Sequence, residues 1–473
     1  MKDHIFRTYD IRGTVGTDLD ISEVYDFGRS LAAYLVDRDS KLKTVVVGMD
    51  GRISSPAIYQ EISRSLTDSG LDVLFMGICP TPVMYFALAQ NMADAGLMIT
   101  ASHNPACDNG IKISLAKESI WGDQIIQLRN WYKNKKSIMS QEKGQVSEID
   151  AKEKYLAWLV NHFKHLRHIT MPFVIDCGNG ATGAVIPELV KLMDWKNSIL
   201  LYETIDGTYP HHDADPSVAQ NMIDLIEEVK KNNAFCGIAF DGDGDRMGAV
   251  TASGALVPGD HLLALFSIQI LAKYPGASIV CDIKASGSLL DVIHQHGGIV
   301  CMSPTGISYV KREMKDKKAI LGGEFSCHFL FNDRYFGYDD GIYSALRLIE
   351  LLIESQKTFD QLCSIIPRKY PTPEIRIPCS EEKKHQVVHA FQDYFKQRTD
   401  AQVNSIDGIR AQMSYGWGNI RVSNTQPVVS IRLESDTPEG LEMVKKDFAH
   451  ILNTFFDVAV VEQHLQMSNR SDT

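Results

Sequence analysis

The chain has 473 residues, of which 44% are hydrophobic and 23% charged, and its formal net charge is -11. At roughly 150 residues per domain, this length predicts about three or four domains of ordinary globular composition. The acidic balance argues against nucleic acid or an anionic membrane as a partner, because both repel a negatively charged protein.

The N-terminal segment MKDHIFRTYD has no apolar signal core, and no apolar run is long enough to span a bilayer. The nine cysteines are scattered without a C-x-x-C pair, so the sequence predicts neither a zinc ribbon nor a thioredoxin-type centre. Buried, reduced cysteines are the simpler interpretation. We therefore expect a cytoplasmic protein.

Three stretches of the chain share one rhythm, in which short apolar runs alternate with segments of helical periodicity. Continuous apolar runs of this length are typical of buried parallel strands. Each stretch ends with an apolar run followed by an unusual polar loop, and these loops are TASHNP (100–105), DGDGDR (241–246) and GEFSCH (323–328). Open α/β sheets bind ligands at the carboxyl ends of their strands, so three related α/β domains are expected to offer loops to one site.

The chain changes character at the proline-rich segment 367–379, which is typical of a linker or an edge strand. Beyond it, a helical pattern, a hairpin-like region and a strand are followed by a closing helix, which predicts a small α+β domain. The predicted domains are therefore 1–150, 151–256, 257–367 and 368–473.

Ser102 is the candidate nucleophile of the first loop, with His103 beside it and Pro105 stiffening the turn. A serine hydroxyl reacts only when a base or a metal activates it. Taken alone, the loop is equally compatible with an ordinary Ser/Asn/Pro turn.

Asp241, Asp243 and Asp245 form the second candidate motif. In an extended segment, residues two apart face the same side, so the three carboxylates are expected to converge. Two unit charges ~4 Å apart repel by ~4 kcal/mol at a dielectric constant of ~20, which favours a bound cation. Carboxylate oxygens suit Mg²⁺ or Ca²⁺, but an EF-hand is excluded because its sixth and twelfth positions hold Arg246 and Ala252.

The segment Gly178-Asn179-Gly180-Ala181-Thr182-Gly183 favours a different class of protein. It matches G-x-G-x-x-G after a strand, and Glu203 lies about 20 residues further on, as in NAD-dependent oxidoreductases. Against this interpretation, the other copies of the repeat lack the glycines. It also leaves the serine loop and the three aspartates without a role.

Two further loops offer polar groups suited to a sugar phosphate. The loop after residue 322 presents Glu324, Ser326 and His328 at alternating positions. The loop beginning at Arg421 combines a guanidinium with hydroxyls and backbone N–H groups, which is a natural phosphate cradle. Each loop alone is also compatible with an ordinary strand-end turn.

Together, the motifs TASHNP, DGDGDR, GEFSCH and RVSNTQP resemble those of the α-D-phosphohexomutase family, in the same order and over nearly the whole chain. The N-terminal YDIRG (9–13) and the residues Asn109, Gly110 and Lys112 are similar to the family's as well. The form SNTQP, rather than SGTEP, resembles the phosphomannomutase/phosphoglucomutase branch. The resemblance implies three α/β domains and a C-terminal TBP-like α+β domain around a central cleft.

The resemblance also implies a phosphoenzyme that interconverts hexose 1-phosphate and hexose 6-phosphate through a hexose 1,6-bisphosphate, which also serves as activator. Ser102 would carry the phosphoryl group, and Mg²⁺ would be held by Ser102, Asp241, Asp243 and Asp245. Arg12, Lys112 and Arg246 would be cationic neighbours, and Lys112, His103 and His328 are alternatives for moving the hydroxyl proton. The residues expected to contact sugar or phosphate are Tyr9, Lys284, Thr305, Gly306, Ser308, Glu324, Ser326, Arg421, Ser423, Asn424 and Thr425.

One position departs from the family's pattern. The loop Thr305-Gly306 usually continues with histidine in this branch, and here Ile307 and then Ser308 follow. A serine hydroxyl reaches less far than an imidazole, so we expect one sugar contact to be missing or mediated by water. The preferred sugar therefore stays open between mannose, glucose and glucosamine.

Two alternatives to a mannose or glucose mutase in this branch are a phosphoglucosamine mutase and, from another class, the NAD-dependent oxidoreductase. A non-catalytic protein that binds a metal or a sugar phosphate would keep the three aspartates without turnover. The expected partner is a small sugar phosphate, and the expected assembly is a monomer or a weak homo-oligomer.

Overall fold

The computed structural model describes residues 1–423 and 427–467. The chain divides into two compact units, Met1–Gly259 with Ser326–Cys363 and Asp260–Phe325 with Ser364–Thr473. Among the helices of the described residues, none combines the length and apolarity needed to cross a membrane.

Helices and strands are interspersed along the chain. The helices are α1 (Ile21–Arg38), α2 (Ser55–Asp68), α3 (Thr81–Ala89), α4 (Asp123–Lys133), α5 (Ala151–His162), α6 (Ile186–Leu192), α7 (Ile223–Lys231), α8 (Gly259–Lys273), α9 (Gly287–Gln295), α10 (Ile307–Lys317), α11 (Gly341–Ser355), α12 (Phe359–Cys363), α13 (Glu381–Lys396), α14 (Pro438–Leu452) and α15 (Val458–Met467). Short 3₁₀ helices lie at Asp3–Ile5, Lys164–Leu166, Ala181–Ala184 and Ala219–Met222.

The strands fall into groups that correspond to successive parts of the sequence. They are β1 (Ile11–Thr14), β2 (Thr44–Met49), β3 (Asp72–Ile78), β4 (Ala95–Ile99), β5 (Asp108–Leu115), β6 (Glu118–Ser119), β7 (Val146–Glu148), β8 (Val174–Asp176), β9 (Ile199–Leu201), β10 (Cys236–Phe240), β11 (Met247–Thr251), β12 (Leu256–Val257), β13 (Ser278–Asp282), β14 (Ile299–Ser303), β15 (Leu321–Gly323), β16 (Phe329–Phe331), β17 (Tyr370–Pro371), β18 (Ile375–Pro378), β19 (Gln402–Asn404), β20 (Ile409–Met413), β21 (Gly416–Val422) and β22 (Val428–Ser435).

The first unit contains two mixed sheets. In the larger sheet the order is β1-β5-β4-β2-β3-β7, with β6 against β5, and β5 is antiparallel to both β1 and β4. This antiparallel pairing sets Lys112 opposite Met98, on the strand that ends just before Ser102. In the smaller sheet the order is β12-β11-β10-β8-β9, where β8, β9 and β10 are parallel and β10 forms an antiparallel hairpin with β11.

The second unit also contains two sheets. The parallel strands β14, β13 and β15 lie side by side in that order. The C-terminal sheet has the order β17-β22-β21-β20-β19, with β18 also on β22, and its pairs are antiparallel. The predicted fold class, α/β domains followed by a C-terminal α+β domain, is confirmed. β12 spans the predicted boundary between residues 256 and 257, and every other strand lies within one predicted range. The boundaries between the ranges stay a prediction.

Apolar spacing explains how the helices pack. In α1, Val24, Phe27, Leu31 and Leu35 recur every three or four residues and are fully buried against the first sheet. Burying one such side chain contributes about 1.5–3 kcal/mol to stability. The helix begins at Asp20, whose side chain accepts a hydrogen bond from the backbone N–H of Ser22.

Candidate active site

Ser102 lies in the loop between β4 and β5 (residues 100–107), called here the serine loop, and its side chain is buried. Its hydroxyl donates to Asp241 Oδ2 at 2.6 Å and lies 3.1 Å from Nδ1 of His103. The residue has a φ of 52°, in the left-handed region that a side chain other than glycine rarely adopts. Its backbone N–H donates to Thr100 Oγ1 at 2.8 Å. The first loop is therefore an ordered structure aimed at the aspartate loop.

Asp241, Asp243 and Asp245 occupy the turn between β10 and β11, where Phe240 pairs with Met247. The prediction that they converge is confirmed, but its reason was wrong, because the segment is a tight turn and not an extended strand. Gly244 supplies the positive φ of 74° that closes this turn. All three carboxylates are buried, and their candidate ligand atoms lie within 4.8 Å of one another.

Lys112 of β5 and Thr81 at the start of α3 donate hydrogen bonds to this turn. The Lys112 ammonium donates to Asp243 Oδ2 at 2.6 Å and also contacts Asp245. Thr81, at the start of α3, donates its hydroxyl to Asp243 Oδ2 at 2.6 Å and its N–H to the Asp243 carbonyl at 2.8 Å. Burial alone would lower the pKa of Lys112, but the charges of Asp243 and Asp245 outweigh it and raise that pKa well above its usual value.

The three aspartates fit a divalent cation. Burial, followed by the charges of Asp245 and Asp243, raises the pKa of Asp241 well above its usual value. Asp243 Oδ1 is buried without a hydrogen-bond partner, which leaves an oxygen lone pair that a cation could use. An all-oxygen set of this kind suits Mg²⁺, which commonly shares its coordination sphere with a phosphate oxygen.

Cationic and imidazole groups surround the serine and aspartate loops. Nε of Arg246 donates to Nε2 of His328 at 3.3 Å, and the same imidazole nitrogen lies 3.3 Å from Asp245 Oδ1. Ser326 Oγ lies 3.2 Å from the other imidazole nitrogen of His328. Burial, and then the charges of Arg246 and Arg12, lower the pKa of His103 well below its usual value, so this imidazole is neutral at pH 7.

Arg12 completes the group on the first unit. Its guanidinium donates to Asp10 Oδ2 at 2.5 Å and to Asn104 Oδ1 at 2.9 Å, so it is tied to the serine loop. The half-buried Tyr9 lies three residues before it, just ahead of β1. The structure thus brings Ser102, His103, Lys112, Arg12, Arg246, Ser326, His328 and the three aspartates into one compact unit.

The second unit carries several of the groups predicted to hold the sugar. Glu324 is buried, and its Oε1 accepts the backbone N–H of Gly306 at 2.6 Å. The ammonium of Lys284 lies 3.2 Å from Glu374 Oε1. Ser308 is buried in the first turn of α10, whereas Ile307 before it is half-buried. The Gly306 turn is therefore joined to Glu324 by a direct hydrogen bond.

The groups predicted to hold phosphate begin at the end of β21. Nε of Arg421 donates to Asp407 Oδ2 at 2.7 Å, and the same carboxylate oxygen accepts the N–H of Thr305 at 3.0 Å. The carbonyl of Ser423 accepts a hydrogen bond from the buried Lys384 ammonium at 3.0 Å. Asn424 and Thr425 lie outside the described residues. Asp407 therefore joins one predicted phosphate contact to one predicted sugar contact within this unit.

The glycines of the segment 178–183 have a packing role. A Cβ on Gly180 would lie 2.9 Å from the carbonyl oxygen of Gly242, and a Cβ on Gly183 would lie 2.1 Å from that of Glu203. The N–H of Ala181 donates to the Gly242 carbonyl at 2.9 Å. Gly180 therefore allows the segment to pack directly against the aspartate turn, and Gly183 allows it to pack against Glu203. Close packing of the backbone accounts for the G-x-G-x-x-G spacing, so the spacing does not require a bound dinucleotide.

His212 and Asp176 form an ion pair behind the same turn. His212 Nε2 lies 3.0 Å from Asp176 Oδ2, and two residues further on the Ala214 carbonyl accepts the N–H of Gly242 at 3.1 Å. Burial works to lower the pKa of His212, but the hydrogen bond and charge of Asp176 outweigh it, and the pKa is raised. The pair therefore stabilises the segment that holds the aspartate turn.

Replacing His212 with glutamine is expected to destabilise the protein by about 1–2 kcal/mol at pH 6 and by less at pH 9. A raised pKa contributes stability that is fully present below the unfolded value near 6.5 and is lost as the pH rises through the folded value. Calorimetric melting temperatures of both proteins at the two pH values measure the effect. A melting-temperature difference that does not shrink with rising pH would contradict the charged pair.

Several residues of the site were missed by the sequence reasoning. Thr81 stands between two prolines at the end of a strand, and this is a signal that could have identified it. Asp50, Arg52 and Asp407 lie in segments that are indistinguishable from ordinary polar turns. The main partners of Arg52 and Asp407 are far away in the sequence, so only the folded chain reveals their contacts.

Comparison with known proteins finds matches over most of the chain. Family models for phosphoglucomutase/phosphomannomutase match residues 3–135 (alpha/beta/alpha domain I), 153–254 (alpha/beta/alpha domain II), 258–370 (alpha/beta/alpha domain III) and 374–451 (C-terminal domain). The chain is 39% identical over 448 residues to a phosphomannomutase/phosphoglucomutase of Pseudomonas aeruginosa, covering 95% of each chain. It is 36% identical over 451 residues to a phosphoglucomutase of Neisseria gonorrhoeae, covering 95% of this chain and 97% of the relative.

A solved structure is similar over almost the same length. A phosphoglucomutase/phosphomannomutase family protein from Burkholderia thailandensis superposes with a TM-score of 0.88 at 32% identity. The superposition covers 96% of this chain and 98% of that one.

Proposed function

The chain belongs to the phosphoglucomutase/phosphomannomutase family and is a phosphoryl-transferring mutase, and we propose that it interconverts the 1-phosphate and 6-phosphate of mannose, glucose or both through a phosphorylated Ser102. The observation that carries this proposal is the 2.6 Å contact between the Ser102 hydroxyl and Asp241. It joins a candidate nucleophile to a buried carboxylate cluster of the kind that binds Mg²⁺.

The reaction begins with a phosphoryl group on Ser102 and a free hydroxyl on the bound sugar monophosphate. The sugar oxygen forms a bond to phosphorus while the bond from phosphorus to Ser102 Oγ breaks, which yields a hexose 1,6-bisphosphate and a free serine. The proton of the sugar hydroxyl passes to a nearby base, and Ser102 Oγ takes up a proton from a nearby acid as its bond to phosphorus breaks. The bisphosphate then presents its other phosphoryl group, and the reverse transfer regenerates phosphorylated Ser102 and releases the isomeric monophosphate.

The residues of the first unit supply positioning and charge for this transfer. Phosphoserine carries about −1.5 to −2 charges at neutral pH, which the cations Arg12, Lys112 and Arg246 balance. Asp241, Asp243 and Asp245 would hold Mg²⁺, which when bound supplies further positive charge against the phosphoryl oxygens. Lys112 retains its proton, because its pKa is raised, and it therefore serves as a cation or a proton donor.

The neutral imidazole of His103 is a candidate acceptor for the hydroxyl proton, with His328 as the alternative. His103 lies within hydrogen-bond distance of Ser102, and its lowered pKa keeps a nitrogen lone pair free at neutral pH. His328 is tied instead to Asp245 and Arg246. The proximity to the serine supports His103 in this role.

In this proposal the remaining predicted side chains recognise the sugar phosphate. Glu324 would accept hydrogen bonds from sugar hydroxyls, and Arg421 would pair with the phosphate that is not being transferred. Tyr9, Lys284, Thr305, Gly306, Ser308, Ser326, Ser423, Asn424 and Thr425 are assigned to the same substrate. The finer choice of sugar depends on these residues.

An assay of the purified protein with Mg²⁺ and a trace of hexose 1,6-bisphosphate tests the proposal. Mannose 1-phosphate, glucose 1-phosphate and glucosamine 1-phosphate are offered separately, and formation of each 6-phosphate is measured. We expect turnover of mannose or glucose phosphate, with the bisphosphate acting as activator because it phosphorylates Ser102. Turnover of glucosamine phosphate alone would move the protein to the phosphoglucosamine branch, and no turnover of any of the three would contradict the proposal.

A further inference from the structure

Arg52 is a fully buried arginine on the loop between β2 and α2, and its guanidinium reaches the serine loop. Nε donates to Asp50 Oδ2 at 3.1 Å. One terminal nitrogen donates to the carbonyls of Pro105 at 2.6 Å and Asp108 at 2.9 Å. The other donates to the carbonyls of Ser102 and Asn104, both at 2.7 Å. All five N–H groups of the guanidinium are thereby used.

These contacts define one side of the serine loop. Four carbonyl groups between residues 102 and 108 converge on a single side chain, and all four would lose this donor if that side chain were lost. The Pro105 carbonyl would keep the backbone N–H of Asp108 at 3.0 Å. The Ser102 carbonyl is also crowded from the other side, since a Cβ on Gly242 would lie 2.4 Å from its oxygen. The peptide group of Ser102 is therefore fixed between Arg52 and the aspartate turn.

Asp50 fixes the plane of the guanidinium in turn. Its Oδ1 accepts the hydroxyl of Ser55 at 2.7 Å and the backbone N–H of Arg52 at 3.1 Å. Its other oxygen receives the Nε hydrogen bond of Arg52. Because the guanidinium is planar and rigid, fixing Nε also fixes the direction of the four hydrogen bonds to the loop.

We propose that Arg52 is a positioning residue for phosphoryl transfer, which holds the Ser102 backbone in its left-handed conformation and so sets the direction of the nucleophilic hydroxyl. Arg52 acts through the carbonyl of Ser102, and no atom of Arg52 is required to touch the substrate. This inference rests on the proposed function, because it assigns a role in the same serine-dependent reaction. Small displacements of a reacting group are costly, since ~1 Å of misplacement lowers a rate by ~100-fold.

The variant Arg52→Lys tests this role. Lysine keeps the positive charge and much of the volume but has three N–H groups without a planar fork, so it cannot hold four carbonyls and Asp50 together. We expect kcat to fall by ~10–100-fold while KM for the sugar phosphate stays within about threefold. The rate at which hexose 1,6-bisphosphate phosphorylates Ser102, followed by intact-protein mass spectrometry, should fall in parallel.

Arg347→Lys is the matched control in the same unit. Arg347 is also fully buried and donates to Asp333 at 2.8 Å and to Tyr343 at 3.3 Å, and neither partner belongs to the serine loop. We expect this variant to lower the melting temperature while kcat stays within about twofold. The comparison separates a loss of general stability from a loss of serine positioning.

The possible outcomes distinguish the inference from the proposed function. An Arg52→Lys protein with unchanged kcat, or with a raised KM and unchanged kcat, would overturn the positioning role. If the wild-type protein neither turns over a hexose phosphate nor accepts a phosphoryl group on Ser102, the proposed function itself fails.

A second variant decides the case if Arg52→Lys does not fold. Asp50→Asn keeps Arg52 but replaces the carboxylate that accepts its Nε hydrogen bond with a neutral amide. The orientation of the guanidinium is then held less firmly. We expect kcat to fall by about 3–10-fold with KM unchanged. A kcat equal to that of the wild type in this variant would overturn the inference.

Discussion

Replacing Ser102 with alanine is expected to lower the mutase kcat by about three orders of magnitude or more, because the reaction then lacks the oxygen that carries the phosphoryl group. The protein should still bind the sugar phosphate, since the second unit and the cations of the first are unchanged. Steady-state assays measure the loss. Intact-protein mass spectrometry should show a phosphoryl group on the wild-type protein and none on the variant after incubation with hexose 1,6-bisphosphate.

Ser30→Ala provides a control for this substitution. Ser30 is a buried serine in α1, and its hydroxyl donates to the Asp26 carbonyl of the same helix at 3.2 Å. Its replacement should leave both kcat and phosphorylation unchanged. A Ser102→Ala protein that retains the wild-type rate would refute the phosphoserine mechanism.

Replacing Asp241 with asparagine is expected to have opposite effects on activity and on the stability of the metal-free protein. Without a metal ion, the charges of Asp245 and Asp243 disfavour a charged Asp241 beside them. Removing the Asp241 charge should therefore raise the melting temperature in a chelating buffer. With Mg²⁺ present, the variant should bind the ion at least about tenfold more weakly and lose ~100-fold or more in kcat. Calorimetric titration with Mg²⁺ and melting curves with and without the ion measure both effects.

The wild-type protein should be stabilised by Mg²⁺ in the same melting curves, by about 2.7 kcal/mol at a hundredfold excess over the dissociation constant. Asp260→Asn is the control, because Asp260 is a buried aspartate of the second unit that pairs with Arg432 at 3.0 Å instead of another carboxylate. That variant should lose stability and keep its Mg²⁺ affinity. If Asp241→Asn bound Mg²⁺ as tightly as the wild type, the aspartate turn would not be the metal site.

Candidate residues could be predicted from the sequence when a short segment contained both the reactive side chain and the strand end that positions it. Ser102 and the three aspartates each follow an apolar strand, so both their chemical nature and their place at a strand end could be inferred locally. The alternation argument for the aspartates was wrong in its geometry, because Gly244 makes the segment a turn. The prediction succeeded there because closely spaced residues converge in either conformation.

Long-range contacts were the part that the sequence did not predict. Lys112 reaches Asp243 because β5 runs antiparallel to β4, and a pairing register depends on the whole sheet. Arg52 follows a glycine in a polar segment that is typical of a solvent-exposed turn, yet it is fully buried. Nothing in the local pattern distinguishes the two situations, because burial of an arginine depends on partners that lie about 50 residues further along the chain.

The left-handed backbone of Ser102 has a consequence for the choice between the two aliphatic alcohols that proteins can phosphorylate. Threonine offers the same hydroxyl and forms an equally competent phosphate ester. At a φ of 52°, however, its branched Cβ would crowd the backbone, at a cost of the order of 1–2 kcal/mol. The conformation of this peptide unit therefore favours serine over threonine at position 102.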